Sequence, residues 1–386
     1  GVPLVTTGQY TPELMAVPDD PLDTVWEGRR GMDGGVRYPA PGFDDDEDGL
    51  EDEDPLNGID DDRDGLVDED FAVVGNQSFG LSMRDNSSLV IQLWPEHEPL
   101  GIQIRQYSYQ WEGNEFDDFV GFDFFMKNVG TDPLEDIFFG FFADCDVGPR
   151  GRGAIGLDDL PGYFEGRVRA DDNSWVPITV AYMYDADGDD GVSPGFFGIM
   201  YLDHPTDHNG NGAPQLVGAS AFHAFAGTRS YERGGDPTND LERYELLSSG
   251  TIDSVPGLYA EDFANDYRIL VSAGPFALLE PEETMHFAVA MVVGPGRSGL
   301  LQHAADAGLT YYGAWFNRDG DFSTGVGGTE QYICASDVGS TTGDRTNPIY
   351  KMFASPCDTI GGALAFPISV RDLDKDGCIW VNSDCR

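Results

Sequence analysis

The chain has 386 residues, 69 Asp and Glu against 22 Lys and Arg, and a formal charge of −47 at pH 7. That balance excludes nucleic acid and anionic membranes as partners, since both need clustered Lys and Arg, and no run of about 18 apolar residues exists to span a bilayer. A compact state at this charge repels itself unless cations neutralise part of it.

Residues 1–42 are rich in Pro and Gly and lack sustained periodicity, which predicts an extended N-terminal arm stabilised by lying on another surface, such as a neighbouring subunit. A start at Gly1 fits a processed export product. Residues 43–71 then form a tandem Asp-rich repeat. Asp44-Asp-Asp-Glu-Asp-Gly-Leu-Glu-Asp-Glu-Asp54 and Asp60-Asp-Asp-Arg-Asp-Gly-Leu-Val-Asp-Glu-Asp70 agree at nine of eleven positions, 16 residues apart. In each copy alternate carboxylates (Asp44, Asp46, Asp48; Asp60, Asp62, Asp64) precede a Gly (Gly49, Gly65) that permits the sharp turn needed to fold oxygens around one hard cation. Oxygen-only ligands on a flexible loop point to calcium, because magnesium wants a tighter octahedron and zinc wants His and Cys. The twelfth position, where an EF-hand has a bidentate Glu, is Pro55 or Phe71, so Asp52, Asp54, Asp68 and Asp70 must close the shells. A solvated acidic run is the competing reading. The spaced Gly residues and the apolar punctuation at Phe43, Leu50, Ile59 and Leu66 argue against it. Over residues 43–71 the sequence resembles the thrombospondin type 3 repeats and related acidic repeats of secreted proteins, which implies a string of calcium ions.

Beyond the repeat, alternating apolar runs predict strands within 71–93 and at 102–109. Residues 117–128 (Asp-Asp-Phe-Val-Gly-Phe-Asp-Phe-Phe-Met-Lys-Asn) and 137–144, joined by a polar turn at 130–133, predict a hairpin with a buried aromatic face. Further strands are expected at 178–184, 195–202, 216–225, 267–273 and 285–293. Helices are expected at 237–248, capped by Asp236 with Leu241, Tyr244 and Leu247 on one face, and at 299–312. The fold class is all-β and mostly antiparallel: a β-sandwich or jelly-roll-like core over residues 72–330, with long calcium-binding loops and one or two short helices. Residues 331–386 form a Cys-containing C-terminal appendage with a calcium loop of its own. The stretches 117–148 and 266–294 resemble segments of secreted bacterial β-sandwich proteins, in which a strand ending in Asn-x-Gly leads to one ending in an Asp-x-Asp loop. Here that loop is Ala143-Asp-Cys-Asp-Val-Gly148. The resemblance implies a fold, and Asp144 and Asp146 as loop ligands, without a function.

The Asp-x-Asp-x-Asp-Gly spacing returns at Asp372, Asp374 and Asp376, with Gly377 after them and Asn382 or Asp384 available to complete the shell. Looser relatives are Asp185, Asp187, Asp189; Asp207, Asn209, Asn211; and Asn317, Asp319, Asp321. For these three a plain Asx turn between strands is an equal alternative. Cys334, Cys357, Cys378 and Cys385 crowd the last 53 residues and predict disulfides; their order suggests Cys334 with Cys357 and Cys378 with Cys385, although connectivity cannot be deduced from spacing. Cys145 is left as a core thiol or an intermolecular link. Disulfides and weak calcium loops both fit an extracellular protein.

Catalytic templates fail. The chain has no Gly-x-Ser-x-Gly elbow, no phosphate-loop Lys and no His-Glu-x-x-His, and Pro205 keeps His204 and His208 from sharing a helix as zinc ligands. The expected function is therefore a non-enzymatic, secreted, calcium-binding structural protein that self-assembles into an extracellular filament, tube or surface layer through its own subunits. The alternative is a monomeric calcium-dependent adhesin or carbohydrate-binding protein with surface glycans as partner. Its sugar-stacking candidates are Trp94, Trp111, Trp175, Trp315 and Tyr311.

Overall fold

The computed structural model describes residues 25–29, 77–86, 99–110, 117–148, 156–169, 175–188, 194–205 and 217–311, and four two-residue strands at 333–334, 359–360, 363–364 and 378–379. The acidic repeat of 43–71 lies outside the described residues, as do Asp189, Asp207, Asn209, Asn211, Asn317, Asp319, Asp321, Asp372, Asp374, Asp376, Cys357 and Cys385.

The core is a sandwich of antiparallel strands: β1 (Val25–Arg29), β2 (Gln77–Arg84), β3 (Ile102–Gln110), β4 (Phe119–Asn128), β5 (Leu134–Ala143), β6 (Asp159–Arg169), β7 (Trp175–Asp185), β8 (Gly195–Asp203), β9 (Ala221–Ala226), β10 (Tyr267–Leu279) and β11 (Thr284–Pro295). Eight form the large sheet, in the order β1-β2-β3-β4-β11-β8-β7-β6, and β5-β10-β9 form the small one. Two helices are described, α1 (Asp240–Leu247) and α2 (Gly296–Thr310). The large sheet is covered on both faces, which is why its central strands lose clean alternation and read as apolar runs. Phe124, Met183, Ile199, Tyr201, Phe287 and Val289 face the small sheet. Val176, Val180, Tyr182, Met200, Ala290 and Val292 face α2, which packs Leu300, Ala304 and Ala307 onto them. Each large side chain so buried contributes about 1.5–3 kcal/mol.

The expected hairpin at 117–144 is corrected by this topology. β4 belongs to the large sheet and β5 to the small one, so the turn between them arches across the sandwich instead of closing a ladder. The aromatic faces meet through space: Phe124 lies 5.6 Å from Phe139 and 5.4 Å from Phe141, and Phe139 stacks on Phe287 at 4.0 Å. β10 and β11 arch in the same way, β10 pairing with β5 and β11 with β4. Asn128 clasps the two arches. Its amide donates to the carbonyls of Asp132 (2.9 Å) and Leu279 (3.0 Å), and its Oδ1 accepts from Gly130 N–H at 2.9 Å. The Asn-x-Gly of the sequence is thus a buried plug. At Gly101, with φ 72°, a β-carbon would collide with the Gly130 backbone, so both glycines are required for the close approach.

Other expectations shift in detail. Within the predicted arm, Val25–Arg29 pairs with Gln77–Arg84 and so lies on the chain's own sheet. β6 was not expected from sequence, because Pro161, Gly162 and Gly166 break its pattern; it is an edge strand, where Pro is tolerated. α1 is capped by Asn239, whose side chain accepts from Glu242 N–H at 3.0 Å, while Glu242 accepts from Thr238 N–H at 2.6 Å. Asp236, the expected cap, pairs with Arg268 instead. No α1 residue is fully buried, and Leu241 and Tyr244 are exposed. In the C-terminal region, Ile333–Cys334 pairs with Cys378–Ile379, placing Cys334 opposite Cys378 along the backbone.

Candidate metal centre

Two groups of three carboxylates form among the described residues, each with ligand oxygens within 4.8 Å of one another: Asp144, Asp146 and Asp266, and Asp158, Asp185 and Asp187. The first gathers the loop after β5 and the residue before β10. Arg268 partly neutralises it, with Nε 3.2 Å from Asp144, Nη1 3.1 Å from Asp266 and Nε 3.5 Å from Asp236. Asp146 packs its carboxylate against Gly156, whose φ of 88° and lack of a β-carbon make room for it. The second group sits where β7 ends. Asp185 Oδ1 accepts from the N–H groups of Asp187 (3.0 Å) and Gly188 (2.8 Å), so the Asx turn weighed against a cation loop does form. The turn brings Asp187 back beside Asp185.

Between the groups stands Asp159, the first residue of β6, paired in register with Asp185 and bridged on its other side to Asn265. It is 1% exposed. Its Oδ2 accepts a 3.3 Å hydrogen bond from Val147 N–H, while its Oδ1 has no hydrogen-bond donor among the described residues. Burial, then the charges of Asp158, Asp146 and Asp185, push its pKa up to about 8 against the Val147 hydrogen bond. Burial and the neighbouring Asp144, Asp159 and Asp146 push the Cys145 thiol up to about 11, which keeps it protonated at neutral pH and a poor ligand for a soft metal. Cys145 is a half-buried free thiol packed against the inter-sheet core, in line with the first of its two expected roles.

A second buried acidic cluster lies on the α2 side of the large sheet. His286 Nε2 is 2.7 Å from Asp123 and its Nδ1 3.2 Å from Asp203, and Tyr311 donates to Asp203 at 3.2 Å. Phe125 stacks on the imidazole at 4.8 Å. Burial alone would lower the imidazole pKa, but hydrogen bonds to the two carboxylates and their charges outweigh it and hold it above the ordinary range. Tyr311, expected as a sugar platform, is 1% exposed and therefore a core residue, whereas Trp175 is 49% exposed. His204 is buried, with its ring nitrogens engaged by Pro205 O and the Gly218 backbone, and does not stand ready for zinc. A cavity of about 410 Å³ opens beside it, with Glu165 the one carboxylate among its described lining residues.

Of the sequence-predicted ligands in the described residues, Asp144, Asp146, Asp185 and Asp187 are each brought into a group. Sequence reading missed Asp158, Asp159 and Asp266, because no alternate spacing marks them and only strand register carries them there. It also missed Asp123, Asp203 and His286. Two of them had a signal: Asp123 and His286 interrupt apolar runs, whereas Asp203 ends its strand.

No family model matches the chain, and no curated protein does. Among solved structures, a protein of Escherichia coli K12 assigned as an aldose 1-epimerase aligns with a TM-score of 0.26 and 8% identity, over 56% of this chain and 65% of that one. The chain thus spans less than two thirds of that protein, and a likeness so slight has no bearing on what this chain does.

Proposed function

We propose that the chain is a secreted calcium-binding structural protein whose subunits assemble into an extracellular filament, tube or surface layer. The observation that carries the reading is the convergence of Asp144 and Asp146 with Asp266, and of Asp185 and Asp187 with Asp158, around a buried carboxylate. The donors are oxygens, the one nearby thiol stays protonated, and no described His joins either group, a set that suits a hard cation of calcium's size. The global charge of −47 gives such ions a further role in bringing subunits together. Exposed Leu258, Tyr259 and Phe263 offer apolar surface for those contacts. The test is negative-stain imaging of the purified protein before and after EGTA, with metal content measured on the same sample. Polymers that disperse as calcium leaves are expected; monodisperse particles in both states sink the assembly reading.

A monomeric calcium-dependent adhesin or carbohydrate-binding protein is the second reading. It is favoured by the half-exposed ring of Tyr259, whose backbone N–H donates to the hydroxyl of Tyr184, the residue before Asp185. Calcium-dependent retention of monodisperse protein on a glycan array selects it over assembly.

A further inference from the structure

We infer that Ser249, His223 and Asp253 form an acyl-transfer site that hydrolyses small neutral esters. The inference stands apart from the calcium reading and uses none of its ligands. His223, on β9, is 7% exposed and has a partner at each ring nitrogen. Its Nδ1 is 3.2 Å from Asp253 Oδ2, and its Nε2 is 2.8 Å from Ser249 Oγ. A hydroxyl, a base and a carboxylate that orients the base are thus in line, an arrangement recognised by geometry whatever its order in the chain. Backbone bonds hold the parts in place. Ser249, just past the end of α1, donates its N–H to Leu246 O at 3.3 Å. Residues 251–253 then run beside β9, with Phe222 N–H donating to Thr251 O and Asp253 N–H to Phe222 O, both at 2.9 Å. Ala224 N–H fixes Asp253 Oδ2 at 3.2 Å.

The tautomer follows from these partners. Burial would raise the Asp253 pKa, but hydrogen bonds from His223 and Ala224 N–H outweigh it and hold it below the ordinary carboxylate range. Asp253 is therefore an acceptor at neutral pH, so Nδ1 carries hydrogen, and in the neutral ring Nε2 must accept. Of the two groups near Nε2, Leu246 O at 3.2 Å cannot donate and the Ser249 hydroxyl can. The Ser249 proton is thus directed at the base. Once the ring holds that proton, Nε2–H has Leu246 O as acceptor and Nδ1–H has Asp253. Thr251 N–H donates to Oγ at 3.1 Å and stabilises negative charge developing there.

In the reaction, Oγ adds to the ester carbonyl carbon as its proton passes to Nε2. The C–O bond to the alcohol breaks, the proton leaves with the alcohol, and the acyl group stays on Ser249. Water then repeats the sequence: its proton goes to Nε2, and the carboxylic acid departs as Oγ recovers hydrogen. Ser249 is exposed, and Gly250 beside it, with φ 62°, has nothing within 4 Å of where a β-carbon would stand, so a planar ester can approach from solvent. The charge of −47 repels anionic esters. With Thr251 N–H the one backbone donor described at Oγ, turnover should be slow and restricted to good leaving groups.

The full chain is tested with p-nitrophenyl acetate and, separately, with a fluorophosphonate, which phosphonylates activated serines with loss of fluoride. p-Nitrophenol release above the buffer rate is expected, with one adduct that mass spectrometry maps to Ser249. Ser249→Ala, a change at an exposed position, should abolish both. Ser248→Ala, which removes a hydroxyl that donates to Tyr244 O at 2.6 Å, should keep both. His223→Gln removes the base and should slow acylation by about 100–10,000-fold. Asp253 is a positioning residue: Asp253→Asn offers an amide to Nδ1 and favours the other tautomer, so kcat should fall with KM unchanged. An adduct on another residue, hydrolysis that survives Ser249→Ala, or a wild type indistinguishable from buffer in both assays overturns the site and leaves His223 as a cap on the C-terminal end of α1.

Discussion

Among the described residues the protein buries acidic side chains in two places, and their surroundings differ. On the α2 side of the large sheet, Asp123 and Asp203 are 2% and 0% exposed and share an imidazole held between them. At the Asp159 end, Asp159 and Asp185 are equally buried, and the charges that raise the Asp159 pKa are those of further carboxylates, with Arg268 compensating Asp144 and Asp266 on one flank. Where the chain carries its own countercharge, a buried carboxylate is explained by folding alone. At Asp159, where no such partner is described, a pKa pushed up to about 8 makes a proton the first countercharge, and a bound cation is the alternative that the calcium reading proposes.

The largest test of that contrast removes the internal countercharge. His286→Ala removes the imidazole that both carboxylates share, and breaking a buried ionic cluster on one side costs about 3–5 kcal/mol. Chemical denaturation should show that loss to the same extent in calcium and in EGTA. A loss that calcium repairs would mean that the cluster also binds ions, and the two regions would no longer differ in kind. Removing calcium from the wild type is the next largest effect. Calcium at about 100 times a site's dissociation constant adds about 2.7 kcal/mol by linkage, so chelation should lower the stability by an amount of that order for a site at the Asp144 and Asp185 end. Hydrogen exchange at 144–148 and 185–188 separates this share from that of the other acidic loops.

The pH response sharpens the same comparison more gently. The His286 pKa is raised in the folded protein, so its charged form stabilises the fold fully below the unfolded value of about 6.5 and this contribution is lost as pH rises through the folded value. In EGTA, the gap in stability between wild type and His286→Gln should therefore narrow from pH 6 towards pH 9. A gap that widens over that range would show that the imidazole is neutral in its cluster.

Much of this was legible in the chain because strand periodicity is a local property. The apolar runs in β4, β7, β8, β10 and β11, the position of α1 and the class of fold all follow from neighbours within a few residues. What could not be read is which strand meets which. A polar turn after Asn128 looks the same whether it closes a ladder or arches to a second sheet, and only pairing made from afar, such as the Asn128 bond to Leu279 after the chain has returned from 151 residues away, decides between them. The acidic end has the same history. Asp144, Asp146, Asp185 and Asp187 announce themselves by alternate spacing, whereas Asp158, Asp159 and Asp266 become neighbours only through the β6–β7 register and the bridge to Asn265. β6 itself was hidden by the Pro and Gly residues that an edge strand can carry.

The smallest expected effect is also the cleanest discriminator between the two regions. Asp187 is exposed, and a conservative change there should alter stability in EGTA by no more than about 0.5 kcal/mol, as for most surface substitutions. In calcium, Asp187→Asn should forfeit part of the ion-linked increment, because one ligand oxygen of the group loses its charge. Asp203→Asn should behave in the reverse manner, with a large cost that is indifferent to calcium, since its partners His286 and Tyr311 are both protein groups. Thermal melts of the two variants, each in calcium and in EGTA, give four numbers whose pattern fixes the source of countercharge in each region. If Asp187→Asn loses nothing in calcium, the carboxylates at the end of β7 are an Asx turn and its neighbours, and the cation belongs elsewhere in the chain.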